Sequence, residues 1–191
     1  MSAMYTVPAI KIISLIIGDF KMKLTDMLSV EEWARFEKEL SDQFHLNCTV
    51  YKSDGISVTG KQNFCNKLCP EIKGNKDALA AICAPGNQNF MARAKQTGKA
   101  VIDECDAGLL KIAVPIFVGE EFLGTAGGCG VLLEGGEVED FMVQKTTGFS
   151  EEKIETLCQG LGTMTADQAR EVAAVIGERI SQIIKKGGKD G

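Results

Sequence analysis

The sequence predicts an α+β domain, an antiparallel sheet flanked by helices, and three observations carry that prediction. Two strand-like pairs are joined by short turns, at Ser53-Asp54-Gly55 and at Gly119-Glu120, and turns this tight connect antiparallel neighbours. Capped amphipathic stretches lie before, between and after those pairs. The 191 residues are 45 % apolar and 25 % charged, with no internal repeat and no low-complexity linker, so one core is expected rather than two. A domain of this length buries roughly 70 % of its unfolded-chain surface, enough for a genuine core.

Ser29 and Glu32 form a capping box, and Val30, Trp33, Phe36, Leu40 and Phe44 follow on one stripe, so residues 30–44 are predicted as a helix. Cys48 to Lys52 and Ile56 to Thr59 read as the two arms of the first hairpin. Residues 61–76 read as irregular or short-helical, and Asp77 to Cys83 as helical. Pro85-Gly86 is expected to interrupt that segment before a second helix ends at Thr97-Gly98, where Gly98 suits a left-handed cap. Val101–Glu104, Leu109–Val118 and Phe122–Cys129 read as strands, the last two joined by Gly119-Glu120. Gly124, Gly127, Gly128 and Gly130 mark close approach of another backbone or a ligand. Residues 134–140 read as an acidic, solvated loop, and Ser150 caps a helix through Cys158. Thr165 with Gln168 opens the last helix, whose stripe runs Ala169, Val172, Ala173, Ile176, Ile180, Ile183, Ile184.

The domain is expected over residues 24–186, with 1–23 as an N-terminal extension and 187–191 as a flexible tail. The run Val7 to Ile17 is broken by Pro8 and Lys11, and it is shorter than the ~20 residues a bilayer requires. With no basic segment before it, it is not a signal peptide either, and a cytoplasmic protein is expected. The stripes at 30–44 and 169–184 offer more apolar face than one modest sheet covers, which predicts a homodimer.

Twenty-six acidic against 21 basic residues give a net charge of −5, which argues against nucleic acid as partner and favours a neutral or cationic small ligand. The lone histidine, His45, excludes a His-rich zinc site or a hydrolase triad built from this chain alone, and at a helix end it is expected to meet the last carbonyls. Seven cysteines are many for such a chain, and an odd count leaves at least one outside any intramolecular disulfide. Cys48 and Cys158 read as packing residues. Cys65, Cys69, Cys83 and Cys105 lie in or beside polar, Gly/Asn/Lys-rich sequence and are the candidate set for a shared centre, an iron–sulfur cluster or zinc. Cys83 precedes a helix start, whose positive end favours thiolate, and Cys129 is a candidate fifth sulfur in the same cavity.

At Asn63-Phe64-Cys65, Ala81-Ile82-Cys83, Glu104-Cys105-Asp106-Ala107-Gly108-Leu109, Ala113-Val114-Pro115-Ile116 and Leu123-Gly124 the chain resembles the PocR sensory domain, over roughly residues 24–185. The resemblance implies a modified PAS/GAF fold and a ligand-sensing role in service of transcription regulators, histidine kinases or cyclic-di-nucleotide enzymes. Small hydrocarbon derivatives such as propanediols are the ligands it suggests. It implies Phe64-Cys65, Cys83 and Cys105-x-Ala107-Gly108-Leu109 as motif positions. Gly127-Gly128-Cys129 stands where relatives commonly have Gly-Gly-Gln, and Cys69 lies outside the family pattern, so both departures add sulfur. The expected ligand-binding residues are Phe64, Cys105, Ala107, Gly108, Gly128 and Cys129.

Three functions follow. The first is a sensory module that binds a small molecule or a cysteine-held centre and signals to a separate output protein, since no output domain fits in the remaining residues. The second is an electron carrier with an iron–sulfur cluster on Cys65, Cys69, Cys83 and Cys105. A thiol enzyme using Cys105 or Cys129 is the third, and it lacks a base beyond His45; the expectation is therefore binding without turnover.

Overall fold

The computed structural model describes residues 22–187. The expected extension falls outside these residues up to position 21, as does the expected tail beyond 187. In chain order the elements are α1 (Leu24–Met27), α2 (Val30–Phe44), β1 (Asn47–Lys52), α3 (Leu68–Gly74), α4 (Lys76–Ala78), a π-turn (Leu79–Cys83), α5 (Ala84–Thr97), β2 (Val101–Glu104), β3 (Leu110–Val118), β4 (Glu121–Leu133), α6 (Asp140–Thr147), α7 (Glu151–Cys158), β5 (Thr163–Met164) and α8 (Ala166–Gly187).

Local chemistry sets the helix ends. Ser29 Oγ accepts from the Glu32 amide at 3.2 Å while the Ser29 amide donates to the Glu32 carboxylate at 2.8 Å, so two N-terminal amides of α2 are satisfied reciprocally. Thr165 and Gln168 do the same for α8. His45 terminates α2 in the left-handed region, at φ 54°, and Gly98 terminates α5 at φ 64°.

The sheet runs β1-β4-β3-β2, antiparallel throughout that path, with β5 joining the far end of β4. The expected antiparallel sheet flanked by helices is thus present, and the last pair, Leu132 beside Thr163 and Leu133 beside Met164, is a short parallel addition to it. The first hairpin is corrected. Its turn forms, with the Gly55 amide donating to Lys52, but the returning arm makes only a bridge at Ser57 opposite Tyr51, and the long partner of β1 is β4. Lys61 to Asn66 form no strand but stay against the sheet, the Asn63 amide donating to Asn47 of β1 and the Asn66 side chain to the Gly130 carbonyl of β4. The expected break at Pro85 is absent: the helical path runs on from Lys76 to Thr97, with the wider π-turn directly before Pro85, a residue that has no amide to donate. Helix α6 occupies residues for which the sequence offered no element.

Strand alternation gives the sheet two unlike faces. Cys48 and Val50 of β1, Ile112, Val114 and Ile116 of β3, and Ala126 of β4 join Trp33, Phe36 and Leu40 of α2 and Val172, Ile176 and Ile180 of α8 in the main core. The α8 stripe is thus largely covered within one chain: Ala169, Val172, Ala173, Ile176 and Ile180 are all buried, and the apolar excess behind the homodimer expectation is used internally. Among the described residues no helix is long and apolar enough to cross a membrane.

Glu37 is a buried carboxylate in this core, accepting from the Val50 amide at 2.8 Å and the Thr59 hydroxyl at 2.6 Å. Burial outweighs both hydrogen bonds and raises its pKa above the ordinary 4.5. A raised carboxyl pKa gives stability that is complete below pH 4.5 and is lost as the pH climbs through the folded-state value. Glu37→Gln should therefore flatten the stability decline above pH 4.5 in urea titrations at successive pH values; a decline as steep as wild type would refute this.

Candidate functional site

The other face of the sheet lies under α3, the π-turn and α5, and is not packed solid. Two recesses occupy it and share Tyr51, Asn87, Lys111 and Cys129. The larger has about 40 Å³ open to the centres of water molecules and the smaller about 20 Å³. At roughly 10–15 Å³ per water, together they take about four to six waters. Ile72, Ile82, Ala107 and Leu109 give the larger recess an apolar wall; Asn47, Thr49 and Thr125 make the smaller one polar.

Register explains these positions. Asn47, Thr49 and Tyr51 share one face of β1, and Thr49 pairs with Gly127 of β4. Lys111 of β3 pairs with Cys129 of β4, which carries both side chains to the cavity side. The tight turn at Cys105, where the Gly108 amide donates to the Cys105 carbonyl at 2.8 Å, turns Cys105 and Ala107 to the opposite wall. The π-turn supplies Ile82 and Cys83. Such turns, with their extra residue per turn, recur at functional sites.

Of the expected metal set, Cys69, Cys83 and Cys105 line the larger recess and Cys65 does not; Cys129 stands there in its place. The Cys65 thiol donates to the carbonyls of Cys129 and Gly130 at 3.6 and 3.4 Å, and Cys65 borders surface recesses with His45. Among the described residues no three His, Cys, Asp or Glu side chains stand close enough to hold a metal ion. The placed thiols thus do not, as they stand, fit a metal or cluster.

The expected ligand residues divide in the same way. Cys105, Ala107 and Cys129 line the larger recess. Gly128 borders only the smaller, and a Cβ there would face Leu46 and Cys48 in the core. Gly108 lies against the backbone of Glu137 and Glu139, where its φ of 76° and the tight approach both require glycine. Phe64 lies outside both recesses at the surface, with the Lys73 ammonium 5.6 Å from its ring centroid. Cys48 is fully buried and Cys158 half-buried, both away from the cavity.

Among the lining residues that escaped the sequence reading are Asn47, Thr49, Tyr51, Asn87, Lys111 and Thr125. Asn66, also missed, works from behind the wall. Its amide donates to the Gly130 carbonyl at 2.6 Å and to Cys69 Sγ at 3.3 Å, and its carbonyl accepts from the Cys69 amide at 2.7 Å, which fixes Cys69 against β4. The signals were there to read: Asn47, Thr49 and Tyr51 alternate with apolar neighbours, and Lys111 interrupts an apolar strand.

Burial is the main influence on the thiols. It raises Cys69 and Cys105, and it pushes Cys83 up to about 11 despite the nearby Lys73. The helix-start activation expected for Cys83 is therefore reversed, because the helical path continues through it and the side chain is enclosed. Alkylation of Cys83 by iodoacetamide at pH 8 should be about a hundredfold slower than that of a free thiol and should rise until about pH 11. Peptide mapping that finds Cys83 labelled at the free-thiol rate would overturn this.

Lys111 meets opposing influences. Burial works against its ammonium, but the neighbouring Cys129, Tyr51, Cys105 and Cys83 outweigh it, and its pKa lies above the ordinary value. Lys111 is a standing positive charge in a cavity whose lining includes Lys73 and no carboxylate. The neutral or cationic ligand expected from net charge thus meets a cavity of the opposite local character.

The family model described as the sensory domain found in PocR matches residues 26–188, and every residue of this cavity lies in that span. No curated protein and no solved structure matches the chain. With the mixed sheet, the flanking helices and the cavity between them, that match over most of the chain places the protein in the PocR sensory-domain family.

Proposed function

We propose that this chain senses a small molecule bound between the sheet and the α3–π-turn–α5 wall, and passes its occupancy to a separate output protein without turning the ligand over. The observation that carries this reading is the pair of joined recesses beneath the π-turn, with apolar, thiol and polar walls converging on Lys111. No histidine stands in the lining, and the buried thiols of Cys69, Cys83 and Cys105 are held in the protonated form, which suits binding rather than nucleophilic attack. A wall that contains a π-turn has an alternative helical register within reach, so a ligand that prefers one register biases the outer surface. A ligand at a hundred times its dissociation constant adds about 2.7 kcal/mol to stability, a rise of several degrees in melting temperature. Screening small metabolites by thermal shift tests the reading, and Ala107→Leu, which fills the wall, should erase any response.

A second reading, a cluster or zinc, draws support from four thiols, of Cys69, Cys83, Cys105 and Cys129, around one cavity. It requires them to close up from where they stand. Metal analysis of anaerobically purified protein tests it: bound metal lost in Cys105→Ser and kept in Cys158→Ser supports the centre, and metal-free wild type rejects it.

A further inference from the structure

We propose that the sensed molecule is a small aliphatic monocarboxylate, its carboxylate on Lys111 and Thr49 and its short tail toward Ile72, Ile82 and Leu109. This rests on the cavity being the sensing site. Three observations on different residues point to an anion. The Lys111 ammonium donates to the Asn87 side-chain carbonyl at 2.6 Å and lies 5.9 and 5.7 Å from the ring centroids of Tyr51 and Phe90. Among the described residues no carboxylate pairs with it. A partly buried cation without a counter-ion carries a desolvation cost, and an anionic ligand offsets it.

Thr49 supplies the second observation. It is 5 % exposed, and its Oγ1 is a buried side-chain polar atom with no hydrogen-bond partner among the described residues. A buried hydroxyl left unpaired is unfavourable and rare in folded proteins, and this one lies in the recess that Lys111 also lines. A carboxylate between the two takes a hydrogen bond from the hydroxyl and an ion pair from the ammonium. Thirdly, a chain of net charge −5 lines these recesses with no acidic residue at all, which selects anions locally against the field of the whole molecule.

Size and polarity narrow the class. Water-centre volumes of about 20 and 40 Å³ suit roughly two to four carbons in all. The one further lysine of the larger recess, Lys73, is engaged at the surface, donating to Gln62 at 2.5 Å and lying over Phe64, so the apolar wall offers no second cation for a second carboxylate.

The test is titration of the ¹⁵N-labelled full chain with sodium propionate at fixed ionic strength, with sodium chloride as control and propane-1,2-diol as the neutral comparison. Propionate should shift the amide signals around Thr49, Asn87 and Lys111 saturably, chloride should not, and Lys111→Met should weaken propionate about tenfold to a hundredfold. Thr49→Val provides a second variant with an unusual signature: weaker propionate binding together with a free protein at least as stable as wild type, because the orphaned hydroxyl is gone. Diol shifts without propionate shifts would end the carboxylate inference and leave the sensing cavity standing. Silence from both ligands at these residues would reject both. Propionate affinity unchanged in Lys111→Met would show that the anion binds elsewhere and would also overturn the proposal.

Discussion

Gly127→Ala should lower the unfolding free energy by about 3 kcal/mol or more, a large share of the roughly 5–15 kcal/mol a domain of this kind has. Gly127 sits mid-strand in β4, paired to Thr49 on one side and Ala113 on the other, and a Cβ there would be driven into the backbone carbonyl of Ile112. A flexible side chain would step aside; a carbonyl held in a ladder cannot. Relief by moving β4 breaks pairing with β1 or β3, and either shift displaces Thr49, Lys111 and Cys129 from the cavity. Gly74→Ala is the matched control, since a Cβ there meets nothing within 4 Å, and it should be neutral or slightly stabilising. Urea unfolding of both variants checks this, and midpoints that coincide would disprove it.

Trp33→Ala should cost about 3–5 kcal/mol. The ring is 0 % exposed, packs edge-on against Phe36 at 5.4 Å and 88°, and donates from Nε1 to the Leu24 carbonyl at 2.9 Å. Alanine loses the burial, leaves a cavity under the sheet and removes one of the two donors to that carbonyl, which keeps the Leu28 amide at 3.3 Å. Trp33→Phe separates these effects: it keeps most of the apolar contact, and the lost hydrogen bond should cost about 0.5–1.5 kcal/mol, since the carbonyl keeps its second donor. Its amide-exchange signature should be early opening of α1 with α2 still protected. If the two variants unfold at the same urea concentration, the hydrogen bond and not the packing is what matters.

What the structure adds concerns faces more than elements. The family and its sheet-and-helix class were legible because their signals are local. A Ser29/Glu32 box needs four consecutive residues, as does Thr165/Gln168, and the turn at Gly119-Glu120 joins strands adjacent in the chain. The misreadings are equally physical. Proline breaks helices in general, yet a π-turn lies directly before Pro85 and the helical path continues through it. The arm after Asp54-Gly55 had strand-like residues, but β1 found a longer partner in β4.

The candidate site was half visible. Cysteine richness at 69, 83 and 105 and the sulfur in the glycine run at 129 were read from the chain, and all four line one cavity. Spacing along the chain does not say which way a side chain points, so Cys65 was grouped with them although its thiol is bonded to the carbonyls of β4. Lys111, Thr49 and Asn87 come from three segments that approach only when β3 and β1 flank β4 and α5 lies across them. The sequence by itself determined the helices, the principal turns, the family and the supply of thiols, because caps, turns and motifs act over a few residues. Only the tertiary structure decided the charge of the cavity, because an unpaired lysine and an unpaired hydroxyl are properties of what surrounds them, and those surroundings are assembled by strand register across the sheet.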